Sequence, residues 1–329
     1  MQKQTDISTE ELQKAVGIIH EMMDYYNSKV VGQPYLGFAI LVAMMTNGHI
    51  LLESVPGLAK TTAARVLTEA VAGSFSRIQC TPDLIPSDIV GTQTFNMSTN
   101  TFDTKLGPVF ANFVLLDEIN RSSAKTQSAM LEAMQEHEVS IGGQTYKLPE
   151  VFCVIATQNP IEQEGTYVLS EAQLDRFLLK VKLNYPDTAS EMEILNRIES
   201  EVLKESHSVA TIEDVVFLQN LCKRVYMDPS IKQYIVDIVQ ASRFTDQILP
   251  PELAQYVAMG SSTRAAITFM QVAKAVALFN GRGYCIPDDV KSMRYSVMGH
   301  RIMLNFAAMA DGINEETIVD AIIGAVKTP

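Results

Sequence analysis

The stretch His49-Ile-Leu-Leu-Glu53-Ser54-Val55-Pro56-Gly57-Leu58-Ala59-Lys60-Thr61-Thr62 decides how the rest of the chain is read. His49 to Glu53 is a short apolar run of the kind that forms a buried strand. Ser54 to Ala59 is a loop punctuated by Pro56 and Gly57, and Lys60-Thr61-Thr62 opens a helix with apolar positions at Ala63, Val66, Leu67 and Ala70. Strand, tight loop, Lys-Thr and helix is the layout of a phosphate-binding P-loop. In such a loop the backbone N–H groups and the helix N-terminus face the phosphates. The Lys reaches the β- and γ-phosphates, and the hydroxyl after it holds Mg2+. The fit is incomplete, because the usual pattern has Gly where Ser54 and Ala59 stand. On these residues alone, an ordinary strand-to-helix turn with an exposed Lys stays open.

Around this stretch lie 329 residues, 47% of them apolar, enough for a large core and a second domain. The balance of 38 acidic to 26 basic side chains, net −12, weighs against nonspecific adhesion to nucleic acid or to an anionic membrane. The longest apolar run, Leu36 to Met45, is too short to span a bilayer, and the first 30 residues show no signal-peptide pattern. Cys80, Cys153, Cys222 and Cys285 are far apart and offer no zinc-type spacing, so they read as reduced core residues of a cytoplasmic protein.

Further along, Phe113-Val-Leu-Leu-Asp117-Glu118 is an apolar run ending in two carboxylates. Val151 to Ala156 is another such run, ending in Thr157-Gln158-Asn159-Pro160, and Leu178 to Leu183 reads as a last strand. Buried parallel strands look like this, and ligands collect at their carboxyl ends. Thr94-Phe95-Asn96 and Thr101-Phe102-Asp103 predict one exposed hairpin. A second is predicted around Gly142-Gly143, which supply the positive φ of a two-residue turn. Beyond about residue 186 the pattern is helical, with capping boxes at Thr188-x-x-Glu191 and Thr211-x-x-Asp214 and only Tyr284-Cys285-Ile286 read as extended. The expectation is an αβα sandwich on a parallel sheet in residues 1–186 and an all-helical domain in 187–329.

Nucleotide hydrolysis needs a phosphate cradle, a metal, an oriented water and positive charge on the developing oxyanions. Lys60 and Thr61 suit the first, and Asp117 could hold Mg2+ while Glu118 polarises water. Asn159 could orient that water or sense the γ-phosphate, or be no more than the turn residue before Pro160. Arg176 and Arg264 are candidate phosphate contacts, or surface ion pairs.

Several longer strings closely resemble the MoxR family of AAA+ ATPases: Asp117-Glu-Ile-Asn-Arg121, Ala156 to Tyr167, Glu171 to Phe177, Gln79 to Leu84 and Gly107 to Asn112. The resemblance runs from Val31-Gly32-Gln33 to Pro287-Asp-Asp-Val290. It implies an αβα ATPase core followed by a helical lid, in a ring, a hexamer, with ATP bound between neighbours. It implies that Val55 to Lys60, Thr61 and Thr62 form Walker A, and that Asp117 and Glu118 form Walker B. Asn159 matches sensor 1, Arg176 the arginine finger given to the neighbour, and Arg264 sensor 2. Val31-Gly32-Gln33 matches the adenine-pocket segment, and the two hairpins match the helix-2 and pre-sensor inserts. Family partners often carry von Willebrand factor A domains, so the implied function is client-protein remodelling or activation driven by ATP. Two rivals stay open: an AAA+ ATPase acting on nucleic acid, and a nucleotide-binding module with little turnover because Ser54 and Ala59 restrict the loop.

Overall fold

Runs that are apolar at every position must be covered on both faces, and that requirement builds the centre of this molecule. The computed structural model describes residues 7–54, 60–160, 165–199 and 207–329, without the side chains of Lys60 and Ile198. Five strands form the main sheet: β1 (Ile50–Glu53), β2 (Phe75–Gln79), β3 (Phe113–Asp117), β4 (Cys153–Gln158) and β5 (Leu179–Lys182). Their spatial order is β5-β1-β4-β3-β2. Every residue of β3 is buried, and so are the first five of β4, so these two occupy the middle of the sheet. Strand β2 lies at an edge and is mostly half-buried or exposed.

The pairs β1–β4, β4–β3 and β3–β2 are parallel. Register places Glu53 beside Gln158, and Asp117 beside Gln79. The carboxyl ends of these strands therefore finish at one level, which makes a single rim for the site. Helices α2 (Pro34–Met45), α3 (Lys60–Glu69) and α4 (Ala124–Glu136) accompany the sheet, and α1 (Thr9–Lys29) precedes them in the chain. Helix α2 is buried at most positions, and a Cβ added at Gly37 would sit 2.5 Å from the Tyr26 ring. Close approach of α1 and α2 fixes glycine there.

Both predicted hairpins form. Gly91–Asn96 pairs with Thr101–Leu106, setting Phe95 opposite Phe102, and Glu138–Ile141 pairs with Gln144–Lys147. Gly142 and Gly143 have φ of 58° and 82°, the turn that their identity predicted. The first hairpin leaves the core through a narrow neck. A Cβ on Gly107 would lie 2.1 Å from the Ile89 carbonyl oxygen, and the Gly107 N–H donates to Val90 O at 3.1 Å.

Two compact units divide the chain. One holds His20–Phe177 and Val181–Val216; the other holds Phe217–Pro329, the segment ending at Ile19, and Leu178–Lys180. This division falls later than residue 186, and two contacts explain it. Arg197 donates to the carbonyls of Asn27 and Ser28, and Ala210–Thr211 pairs with Val71–Ala72, so residues up to 216 adhere to the first unit.

The second unit is built mainly of helices, including α5 (Pro229–Arg243) and α6 (Thr263–Phe279). Asp228 caps α5 by accepting from Ser230 N–H, and Ile231, Ile235 and Ile238, spaced to share one helix face, are buried. It also carries an antiparallel pair, Val257–Met259 with Met303–Leu304, where helix and loop alone were expected. Strands of two and three residues are too short to show alternation in a sequence. Among the described residues, no helix is long and apolar enough to cross a membrane.

Candidate active site

Asp117 ends β3 at the rim of the sheet, and three donors converge on its buried carboxylate. The Thr61 hydroxyl, from the first turn of α3, donates to Oδ2 at 3.2 Å. Arg77 Nη2, from β2, donates to the same oxygen at 2.6 Å, and the Thr157 hydroxyl of β4 donates to Oδ1 at 2.9 Å. Burial alone would raise the Asp117 pKa, yet the bonds from Arg77 and then Thr157 hold it below its ordinary value of 3.8. The result is a carboxylate that stays ionised at neutral pH, with a hydroxyl oxygen close by.

Glu118 follows with φ 57° and ψ 54°, a left-handed conformation that an L-residue adopts at a cost of roughly 1–2 kcal/mol. Its N–H donates to Thr157 Oγ1 at 2.8 Å, so one buried hydroxyl serves both acidic residues. The Glu118 side chain is 25% exposed and pairs with Arg121 at 3.0 Å. Gln79 Nε2 adds a longer bond to the same oxygen at 3.4 Å. Asn159 is buried just past β4, and its carbonyl accepts from Asn120 Nδ2 at 3.3 Å. Gln127 of α4, also buried, donates to the carbonyls of Ile119, Ser122 and Tyr167 and ties this rim together.

The structure thus brings Thr61, Asp117 and Glu118 together and places Asn159 against the turn that follows Glu118. Val55 to Ala59 lie outside the described residues, as does the Lys60 side chain, whose backbone begins α3. Thr62 is exposed on that helix. Val31, Gly32 and Gln33 join α1 to α2. Gly32 has φ 74°, and Gln33 spends its side-chain amide on the Asn184 carbonyl at 3.0 Å. Arg176 follows the short helix Glu171–Leu174 and lines a cleft of about 280 Å³ with Gln173, Glu132 and Glu136. Arg264 is exposed in the first turn of α6, in the second unit.

Arg77 and Thr157 are the residues that the sequence reading passed over. Both reach Asp117 only because neighbouring strands finish at its level, which is a matter of register. The signal that could have found them is their place near the ends of their strands, one on each side of the Asp117 strand.

Residues 49–179 match the model of the ATPase family associated with various cellular activities (AAA), and residues 253–322 match the AAA lid domain. The chaperone MoxR1 of Mycobacterium tuberculosis is 43% identical over 300 residues, covering 91% of this chain and 79% of MoxR1. The chain belongs to the MoxR family of AAA+ ATPases. The MoxR protein of Paracoccus denitrificans is 27% identical, with 91% of each chain covered. A crystal structure from Cytophaga hutchinsonii shares the fold with a TM-score of 0.90 at 44% identity, covering 97% of both chains. As a MoxR-family protein, the chain carries the parallel-sheet AAA core and the AAA lid that its sequence led one to expect.

Proposed function

We propose that this MoxR-family protein hydrolyses ATP with Mg2+ and uses the energy to remodel, assemble or activate a client protein. It does so as a cytoplasmic ring of identical subunits, six in the family pattern, and the client type that the family suggests carries a von Willebrand factor A domain. The observation that carries the hydrolytic reading is the Asp117 rim, where an ionised carboxylate, the Thr61 hydroxyl and the Glu118 carboxylate meet at the end of a P-loop-type sheet. Thr61 Oγ1 and Asp117 Oδ2 are hard oxygen donors, which fits Mg2+ together with phosphate and water oxygens. When bound, that ion supplies positive charge to the phosphate oxygens.

In this reading Lys60 and the loop before it hold the phosphates, and Thr62 lies at the helix N-terminus behind them. Glu118 accepts a proton from the attacking water, Asn159 orients that water, and Val31, Gly32 and Gln33 border the base. Arg264 senses the γ-phosphate, and Arg176 reaches the γ-phosphate held by the adjacent subunit. A non-hydrolysing module would have no use for a carboxylate held in the left-handed turn at Glu118. The acidic balance of the chain weighs against nucleic acid as the client.

Glu118→Gln should bind ATP yet lose hydrolysis by ~10²–10⁴, the usual scale for a general base. Hydrolysis at the parent rate would refute the role of Glu118. Mixing Arg176→Ala with Lys60→Ala protein should recover part of the activity that each lacks alone. No recovery on mixing, with specific activity flat on dilution, would mean that each chain holds a complete site.

A further inference from the structure

The lid-side arginine, Arg264, belongs to a helix whose start is held by a separate element. Ser262 caps α6 and accepts from the Arg264 N–H at 3.1 Å. The three residues before the helix, Gly260 to Ser262, run against the C-terminal end of α5. A Cβ on Gly260 would lie 2.1 Å from the Ser242 carbonyl oxygen, so the two backbones meet where only glycine fits. The Ser261 N–H donates to Ser242 Oγ at 3.0 Å, and the Ser261 carbonyl accepts from Arg243 Nε at 2.8 Å. Arg243 Nη2 reaches on to Thr263 Oγ1 at 3.5 Å, which is a weak contact by itself. The hydroxyl of Ser261 is buried without a hydrogen-bond partner among the described residues, so the segment is held through its backbone.

We infer that Arg243 is a positioning residue for Arg264: from the end of α5 its guanidinium sets where the first turn of α6 begins. Arg264 lies one residue beyond Thr263, so any drift at Ser261–Thr263 is passed directly to it. This rests on the nucleotide-sensing role proposed above for Arg264. A plainer account of Arg243 is that a cation at a helix C-terminus favours α5 through the helix dipole. The two accounts separate on chemistry, because a dipole needs charge alone. The carbonyl–hydroxyl bridge needs the planar fork that Lys lacks.

The test is a double-mutant cycle on ATP turnover by the full chain, with thermal melting recorded for each variant. Arg243→Ala and Arg243→Lys should each lower kcat by about tenfold with KM for ATP nearly constant, given that a displacement of ~1 Å can cost ~10²-fold. In an Arg264→Ala background, adding Arg243→Ala should change kcat by less than about twofold, since linked residues do not add. Arg243→Lys should melt with the parent, which keeps the test valid if the alanine variant unfolds. Full activity of Arg243→Lys would overturn the inference in favour of simple charge, and additive losses would overturn it in favour of an independent role. If Arg264→Ala itself turns over ATP at the parent rate, the sensing role of Arg264 fails, and this inference fails with it.

Discussion

Replacing Thr157 by Val removes one oxygen and keeps the shape, so it isolates the hydroxyl that joins the two acidic residues. Thr157 is fully buried, and its hydroxyl donates to Asp117 Oδ1 while accepting from the Glu118 N–H. A hydrogen bond to a charged group is worth roughly 1.5–3 kcal/mol, and a donor left without a partner costs roughly 1–3 kcal/mol. Glu118 is partly exposed, so water offsets some of the second loss, and the expected destabilisation is about 3 kcal/mol. The chain has no Trp, so far-UV circular dichroism during urea unfolding is the probe. The slope of the transition should be unchanged and the midpoint lower. The loss should also depend on pH with a definite sign. Asp117 has a depressed pKa, so its bonds stabilise the fold above its ordinary value of 3.8 and lose that effect as pH falls through the folded value. The deficit of Thr157→Val should therefore be full at pH 7 and shrink as the pH is taken below about 4. A variant within about 0.5 kcal/mol of the parent at pH 7 would mean that the hydroxyl does not bridge Asp117 and Glu118.

His49 is buried, with Nδ1 accepting from the Val154 N–H and Nε2 facing the Met134 carbonyl, and burial lowers its pKa from 6.5 to about 4. The unfolded chain takes up that proton first as pH falls, so stability is lost between those two values, by about 3 kcal/mol. His49→Gln, which can donate and accept without titrating, should flatten the decline between pH 7 and pH 4 by that amount; an unchanged slope would refute the assignment. Arg77→Gln removes a cation that competes for Asp117 Oδ2, so the Mg2+ concentration for half-maximal turnover should fall. A rise would show that Arg77 helps to build the metal site.

What could be read in the sequence followed from burial on two faces. The runs Phe113–Leu116 and Val151–Ala156 have no polar interruption, and a strand of that kind has only one place in an α/β sheet. The acidic pair at the end of the first run and the Lys-Thr that opens α3 marked the rim for the same reason. The contacts of Arg77 and Thr157 were hidden, because strand order and register arise from packing between segments far apart in the chain. Leu195 is 58% exposed, so the capping box that marked the start of Thr188–Glu199 carried no information on which of its apolar positions are buried. The Val257–Met259 pair fell below the length at which alternation can be detected.

The neck of the Gly91–Leu106 hairpin separates what the core requires from what the tip displays. Backbone meets backbone at Gly91 and Gly107, and Thr104 Oγ1 lies 3.1 Å from Tyr146 Oη of the second hairpin, so none of these attachments uses a tip side chain. Beyond it, Phe95 and Phe102 stack edge to face at 5.2 Å, 50% and 65% exposed, and Met97 is 89% exposed. Such an arrangement behaves as a cassette. Residues 97–100 can be rewritten by mutation while the sheet and the Asp117 rim keep their packing, leaving natural selection free to change what the tip meets without rebuilding the engine beneath it.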